Sequence, residues 1–250
     1  YFEHNIAGNE YDPAVYNNIA LYELHLRYLL QAQKYAGYPW TLHTVGSAMA
    51  VRAGEYVAAG GMNRKQAGED FYFIQKLVQS GTYFSLNSTA VYPSARESMR
   101  VPFGTGATIS MLSGKQGQHF LTYDFGAFRE LETVFGLRKY LFRCSAKDPE
   151  DIYNNLPRGL RSFINKREWV FKISEINSNT SSFESFSKRY FGWFSMFRIV
   201  KFLNYVHEGI YSKKPVTVTA FELLRYMGHE VVSDDAVYLL NYFRQLERGS

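Results

Sequence analysis

The sequence predicts an α/β region through about residue 122 followed by a mainly α-helical region over 123–250, helix-rich overall. Three observations carry this. Short β-rich stretches with small residues (43–52, 82–86 and 90–92) are interleaved with helical patterns in the first part. From Phe125 onward apolar residues recur at helical spacing and are punctuated by capping signals. A chain of 250 residues holds one large domain or two small ones, which permits a boundary near residue 122.

Asp12-Pro13 is a helix start, an N-cap followed by Pro at the first helical position. Val15, Ile19, Tyr22, Leu26 and Leu29 or Leu30 then form an apolar stripe that Gly37 ends. Glu23, His25, Arg27 and Lys34 fall on the other face and read as solvated. The stretch from His43 to Arg52 reads as one or two strands, with Gly46, Ser47 and Ala48 small enough for close approach by backbone or ligand. A short helix over 53–59 leads to Gly60-Gly61. Phe71, Ile74 and Leu77 or Val78 then mark a helix ended by Gly81. Glu69 and Asp70 sit in its first turn, where the positive end of the macrodipole favours ionised carboxylates. Such a pair serves as ordinary caps or, at a pocket edge, supplies a general base.

In the second part, Phe128, Leu131, Val134 or Phe135 and Leu141 share a helix face. Asp148-Pro149-Glu150 opens a short helix that Leu156-Pro157 ends. Ser181 to Glu184 reads as a capping box opening one long helix, with Phe183, Phe186, Tyr190, Trp193, Phe197 and Val200 on one face. Thr219 to Glu222 reads as a second box, with a stop at Gly228, and Ser233-Asp234-Asp235 caps the last helix. The basic, aromatic stretch from Lys188 to Tyr205 packs as core or lies on a membrane surface.

A chain 46% hydrophobic and 20% charged is ordinary globular material. Its 17% aromatic content leaves stacking surface for sugar rings or bases beyond what a core needs. A net charge of +5 suits a nucleotide diphosphate, a nucleic acid or an anionic membrane without separating them. No nucleic-acid recognition motif accompanies the charge, so no nucleic-acid partner is expected. Cys144 is the only cysteine, which rules out an internal disulfide and favours a cytoplasmic compartment, including the inner face of the membrane. No apolar run of about 18 residues occurs.

The ordered run Gly46-Ser47-Ala48-Met49-Ala50-Val51-Arg52, Gly60-Gly61-Met62 and Glu69-Asp70 resembles the second half of a family 2 glycosyltransferase. The stretch from Pro93 to Gly106 resembles a recurring run in bacterial members of that kind. The resemblance covers roughly residues 1–110. It implies the acceptor-side half of a GT-A domain over 1–122 and a helical C-terminal extension over 123–250. The implied reaction is inverting transfer of a sugar from a nucleotide-diphosphate donor to an acceptor hydroxyl, in polysaccharide biosynthesis. By the same resemblance Asp70 is the base, Glu69 positions it or touches the acceptor, and His43, Gly46 and Ser47 line the pocket. Arg96 and Arg100, in a glycine-flanked loop, are expected to hold the diphosphate through forked donors, or else to pair on the surface with acids such as Glu97. His43 also reads as a purely structural histidine.

Enzymes of this type hold Mg²⁺ or Mn²⁺ through an Asp-x-Asp motif, and none occurs upstream of Gly46. The chain is therefore expected to lack the donor half, to hold no metal itself and not to turn over alone. The rival expectation is a non-enzymatic helical interaction domain with Glu69 and Asp70 as plain caps.

Overall fold

A computed structural model describes residues 1–63, 68–79, 81, 83–94 and 120–249. The chain forms two compact units. One gathers Tyr1–Leu30, Trp40–Thr122 and Pro215–Ser250; the other gathers Gln31–Pro39 and Tyr123–Lys214. A break falls at residue 122, but the last 36 residues, expected with the helical extension, pack in the first unit.

Helices dominate the described residues. They are α1 (Pro13–Tyr35), α2 (Ala53–Ala58), α3 (Glu69–Gln79), α4 (Phe125–Gly136), α5 (Arg138–Leu141), α6 (Asp148–Asn154), α7 (Arg158–Phe163), α8 (Lys166–Ser178), α9 (Phe183–Trp193), α10 (Met196–Val206), α11 (Val216–Tyr226) and α12 (Ala236–Arg248). The only sheet among these residues pairs β1 (Leu121–Thr122) with β2 (Lys214–Pro215). The strand expectations fail accordingly. Gly46–Ala48 is a single 3₁₀ turn flanked by extended Val45 and Met49. Residues 83–86 join no strand, and Val91 makes one parallel bridge to Phe2. β-Rich residues set an extended backbone here, but a ladder also needs a partner strand. No described helix is long and apolar enough to cross a membrane.

Helix α1 starts in the first unit on Asp12, whose carboxylate accepts from Ala14 N at 2.8 Å, and stops at Gly37, in the second, in a left-handed conformation. Of the expected stripe, Ile19 and Leu30 are buried and Val15 and Tyr22 pack against Ile19, but the buried face is wider. Tyr16, Ala20, Leu24 and Tyr28 are buried, and so are Glu23 and Arg27, the residues expected in solvent. Leu42, Ile74 and Val78 form a small core that Trp40 and Met49 cover, fixing α3 against the segment that carries Gly46.

The second unit is an aromatic core. Phe135 meets Phe191 and Phe194 edge-on, and Trp169 lies 5.8 Å from Trp193. The buried Tyr190 hydroxyl donates to the Val134 carbonyl, and the Trp169 indole N–H to the Pro149 carbonyl. The long helix expected from 183 is two, broken at Phe194 and Ser195. Its capping box is Ser182 with Ser185, and Glu184 takes no part. Of the expected stripe Phe186 and Tyr190 turn inward, Trp193, Phe197 and Val200 are partly buried, and Phe183 is exposed, as are Lys188, Arg189 and Lys201. Thr219 lies inside α11 and donates to the Tyr28 hydroxyl, so it caps nothing.

Candidate functional site

Gly68 adopts φ +76°, a left-handed step that turns the chain into α3. Glu69 and Asp70 follow as the first helical residues. Asp70 Oδ1 accepts its neighbour's amide, Phe71 N, at 2.7 Å, and Oδ2 accepts from Gly46 N at 3.0 Å. The second bond joins pieces of sequence 24 residues apart. It requires glycine at 46, because a Cβ there would stand 2.7 Å from Asp70 Oδ2. A carboxylate offers about four acceptor positions, so both oxygens keep capacity for a further donor. Asp70 is half-buried and held by two backbone amides at the start of a helix.

Glu69 is also half-buried. Its Oε2 is buried and makes no hydrogen bond among the described residues, an unmatched acceptor beside an anchored one. Ser47 is exposed on the 3₁₀ turn. Tyr56 packs 5.2 Å from Phe73 on α3, and its hydroxyl accepts from Met62 N at 3.2 Å, which ties the Gly60-Gly61 turn to this helix. Arg96 and Arg100 lie outside the described residues.

His43 belongs to a different constellation. Its Nε2 lies 2.9 Å from Glu247 Oε2, and its ring meets Phe2 edge-on at 5.0 Å. Glu247 is buried on α12 and takes Arg27 Nη1 as a close partner. Arg27 Nε in turn donates to Glu23 at 2.9 Å and Nη2 to the Phe2 carbonyl at 2.6 Å. Glu23 also holds His4 Nδ1 at 2.9 Å and Arg244 at 2.8 Å. Burial opposes ionisation of Glu23, but hydrogen bonds from His4 and Arg244 and the charges of Arg27 and Arg244 outweigh it, holding the carboxyl well below its usual range. Burial likewise opposes the Arg27 charge, and Glu247 and then Glu23 restore it. The sequence pattern hid this network, since charges at helical spacing look alike whether solvated or paired. The only advance signal is that Glu23 and Arg27 are an i,i+4 pair.

Among the described residues no three His, Cys, Asp or Glu side chains gather as a metal-ligand set. Glu69 and Asp70 are the carboxylates of the turn, and Asp70 already accepts two amides. No protein-family model, curated protein or solved structure matches the chain.

Proposed function

We propose that Asp70 is the general base of the acceptor side of an inverting, family 2-like glycosyltransferase. The observation that carries this is the Gly46 N to Asp70 Oδ2 bond: the two motif pieces behind the resemblance meet at one half-buried carboxylate. In the reaction the acceptor hydroxyl gives its proton to Asp70. Its oxygen bonds to the anomeric carbon from the face opposite the leaving group, and the nucleotide diphosphate departs with the bonding electrons. On this reading Glu69, whose Oε2 is buried and unmatched among the described residues, positions Asp70 or touches the acceptor. On this reading Arg96 and Arg100 hold the diphosphate, and the divalent metal is held by residues outside this site. The GT-A architecture of 1–122 belongs to the same proposal.

The test is Asp70→Asn in the complete gene product, with nucleotide diphosphate release measured against a panel of nucleotide sugars and hydroxyl acceptors. General-base loss lowers kcat by about 10²–10⁴-fold with melting temperature nearly unchanged. A melting temperature several degrees lower with kcat retained makes Asp70 a structural anchor.

A second reading has its own observation. Val57, Phe84, Leu86 and Tyr92 are all exposed, Phe84 by 87%, and they cluster in sequence around the candidate site. Bulky apolar side chains left in water suit a non-enzymatic interaction domain, with Asp70 as the anchor of the 46–48 turn.

A further inference from the structure

Where the chain enters α4 it meets the end of α10, and the meeting turns on one imidazole. The Asp124 backbone N–H donates to His207 Nε2 at 2.8 Å. The other ring nitrogen, Nδ1, lies 2.6 Å from the Leu203 carbonyl, one turn back along α10. A carbonyl can only accept, so Nδ1 carries the proton; a backbone amide can only donate, so Nε2 carries none. Together the contacts fix a neutral ring in one tautomer. Asp124 is also the N-cap of α4. Its carboxylate accepts from Gly126 N at 2.6 Å and pairs with Lys214 at 2.9 Å. The turn is tight: a Cβ on Gly126 would stand 2.8 Å from the Tyr211 ring and 2.9 Å from Asp124 Oδ1.

We propose that His207 is a proton-operated latch on the entry to α4, closed while the ring is neutral and opened when it takes a second proton. Protonation places an N–H at Nε2 directly against the Asp124 N–H. The hydrogen bond becomes a donor–donor contact, the amide or the ring turns away, and the cap is strained with it. The other groups facing the ring do not replace that bond. Tyr123 and Tyr211 present rings at 5.1 Å and 5.8 Å, and the Tyr211 hydroxyl is committed to Glu130. The Asp124 carboxylate favours a charged ring but is engaged by Lys214, and Lys213 disfavours it. Glu208, next in the chain, is exposed.

Burial is the main influence lowering the His207 ring below its ordinary value of 6.5; the Leu203 carbonyl and Asp124 pull the other way, and Lys213 adds to the lowering. The unfolded chain therefore takes the proton first as pH falls. The latch contributes fully above pH 6.5, and its contribution is lost as pH falls from there through the folded value.

The test uses the full chain, isotope-labelled for NMR. Long-range nitrogen–proton correlations at pH 7.5 are expected to report the Nδ1–H tautomer for His207. Between pH 7 and pH 5, exchange protection of the Asp124 and Gly126 amides, corrected for intrinsic rates, is expected to fall by about tenfold for each unit that the ring is displaced. Amides of α9 hold their protection over the same range. His207→Gln offers an acceptor to the Asp124 N–H but cannot titrate, so its protection stays level. An Nε2–H tautomer overturns the proposal, as does equal loosening of the wild type and His207→Gln on acidification. Should the variant not fold, the wild-type tautomer and pH profile still decide.

Discussion

Each unit is held together internally by its own means. The first buries a chain of charges, Arg244–Glu23–Arg27–Glu247–His43, while leaving Phe84 and Val57 in water. The second buries rings such as Phe135, Trp169 and Tyr190, leaves Tyr140 and Phe171 in water, and keeps most of its cations exposed. Over 123–214 and 31–39 it carries 17 Lys and Arg against 10 Asp and Glu, so the net positive charge of the protein resides there. A charge network is specific about partners but intolerant of losing one, because the survivor stays buried and unpaired. An aromatic core spreads its energy over many contacts, and each loss is local.

That contrast predicts a ranking. Glu23→Gln removes the carboxylate that Arg27, Arg244 and His4 share, leaving Arg27 with Glu247 alone, and should cost about 3–5 kcal/mol, read by denaturant unfolding of the whole chain. Tyr190→Phe keeps the ring in the second unit but leaves the Val134 carbonyl unmatched, for about 1–3 kcal/mol. If the two cost the same, the first unit is no more brittle than the second. Gly46→Ala drives a Cβ onto Asp70 Oδ2 and should cost about 1–3 kcal/mol; on the proposed function it also lowers kcat, because the base is displaced. At the small end, Lys166→Ala removes a half-exposed pair with Glu150 and should change stability by less than about 1 kcal/mol.

The acid responses of the two units should differ as well. Glu23 has a folded value below its ordinary 4.5, so its contribution is present above that pH and lost only as pH falls through the depressed value. His207 begins to lose its contribution from 6.5 downward. Amide exchange followed from pH 7 to pH 4 should therefore show loosening at Asp124 in the second unit before the Glu23 neighbourhood in the first. The reverse order breaks the comparison.

Local chemistry was the legible part of this sequence. Asp12, Asp235 and the glycines at 37, 81 and 228 punctuate helices where their backbone preferences require. The turn carrying Glu69 and Asp70 was readable because a left-handed glycine, two acids and a helical apolar pattern follow one another without a gap. What failed depends on partners distant in the chain. Glu23 and Arg27 look solvated until α12 is brought to them. Thr219 looks like a cap until Tyr28 takes its hydroxyl. Residues 43–52 look like strand until no neighbour pairs with them. The contact between Gly46 and Asp70 was not legible as a distance; only the order of the motifs hinted that the two belong together.

The charge network also fixes an order of assembly. Its bonds from Arg27 and Glu23 to α12 span 220 and 221 residues. During synthesis α1 leaves the ribosome long before Arg244 and Glu247 exist, so Glu23 and Arg27 wait in water with only each other. Most of the second unit, residues 123–214, is continuous and complete before α11 begins. It is free to fold while the first unit is still open. Nascent chains arrested before residue 236 should thus carry a protease-resistant 123–214 segment and a protease-sensitive amino-terminal region. Resistance of the latter should arrive in one step, when the last helix emerges and delivers the missing countercharges.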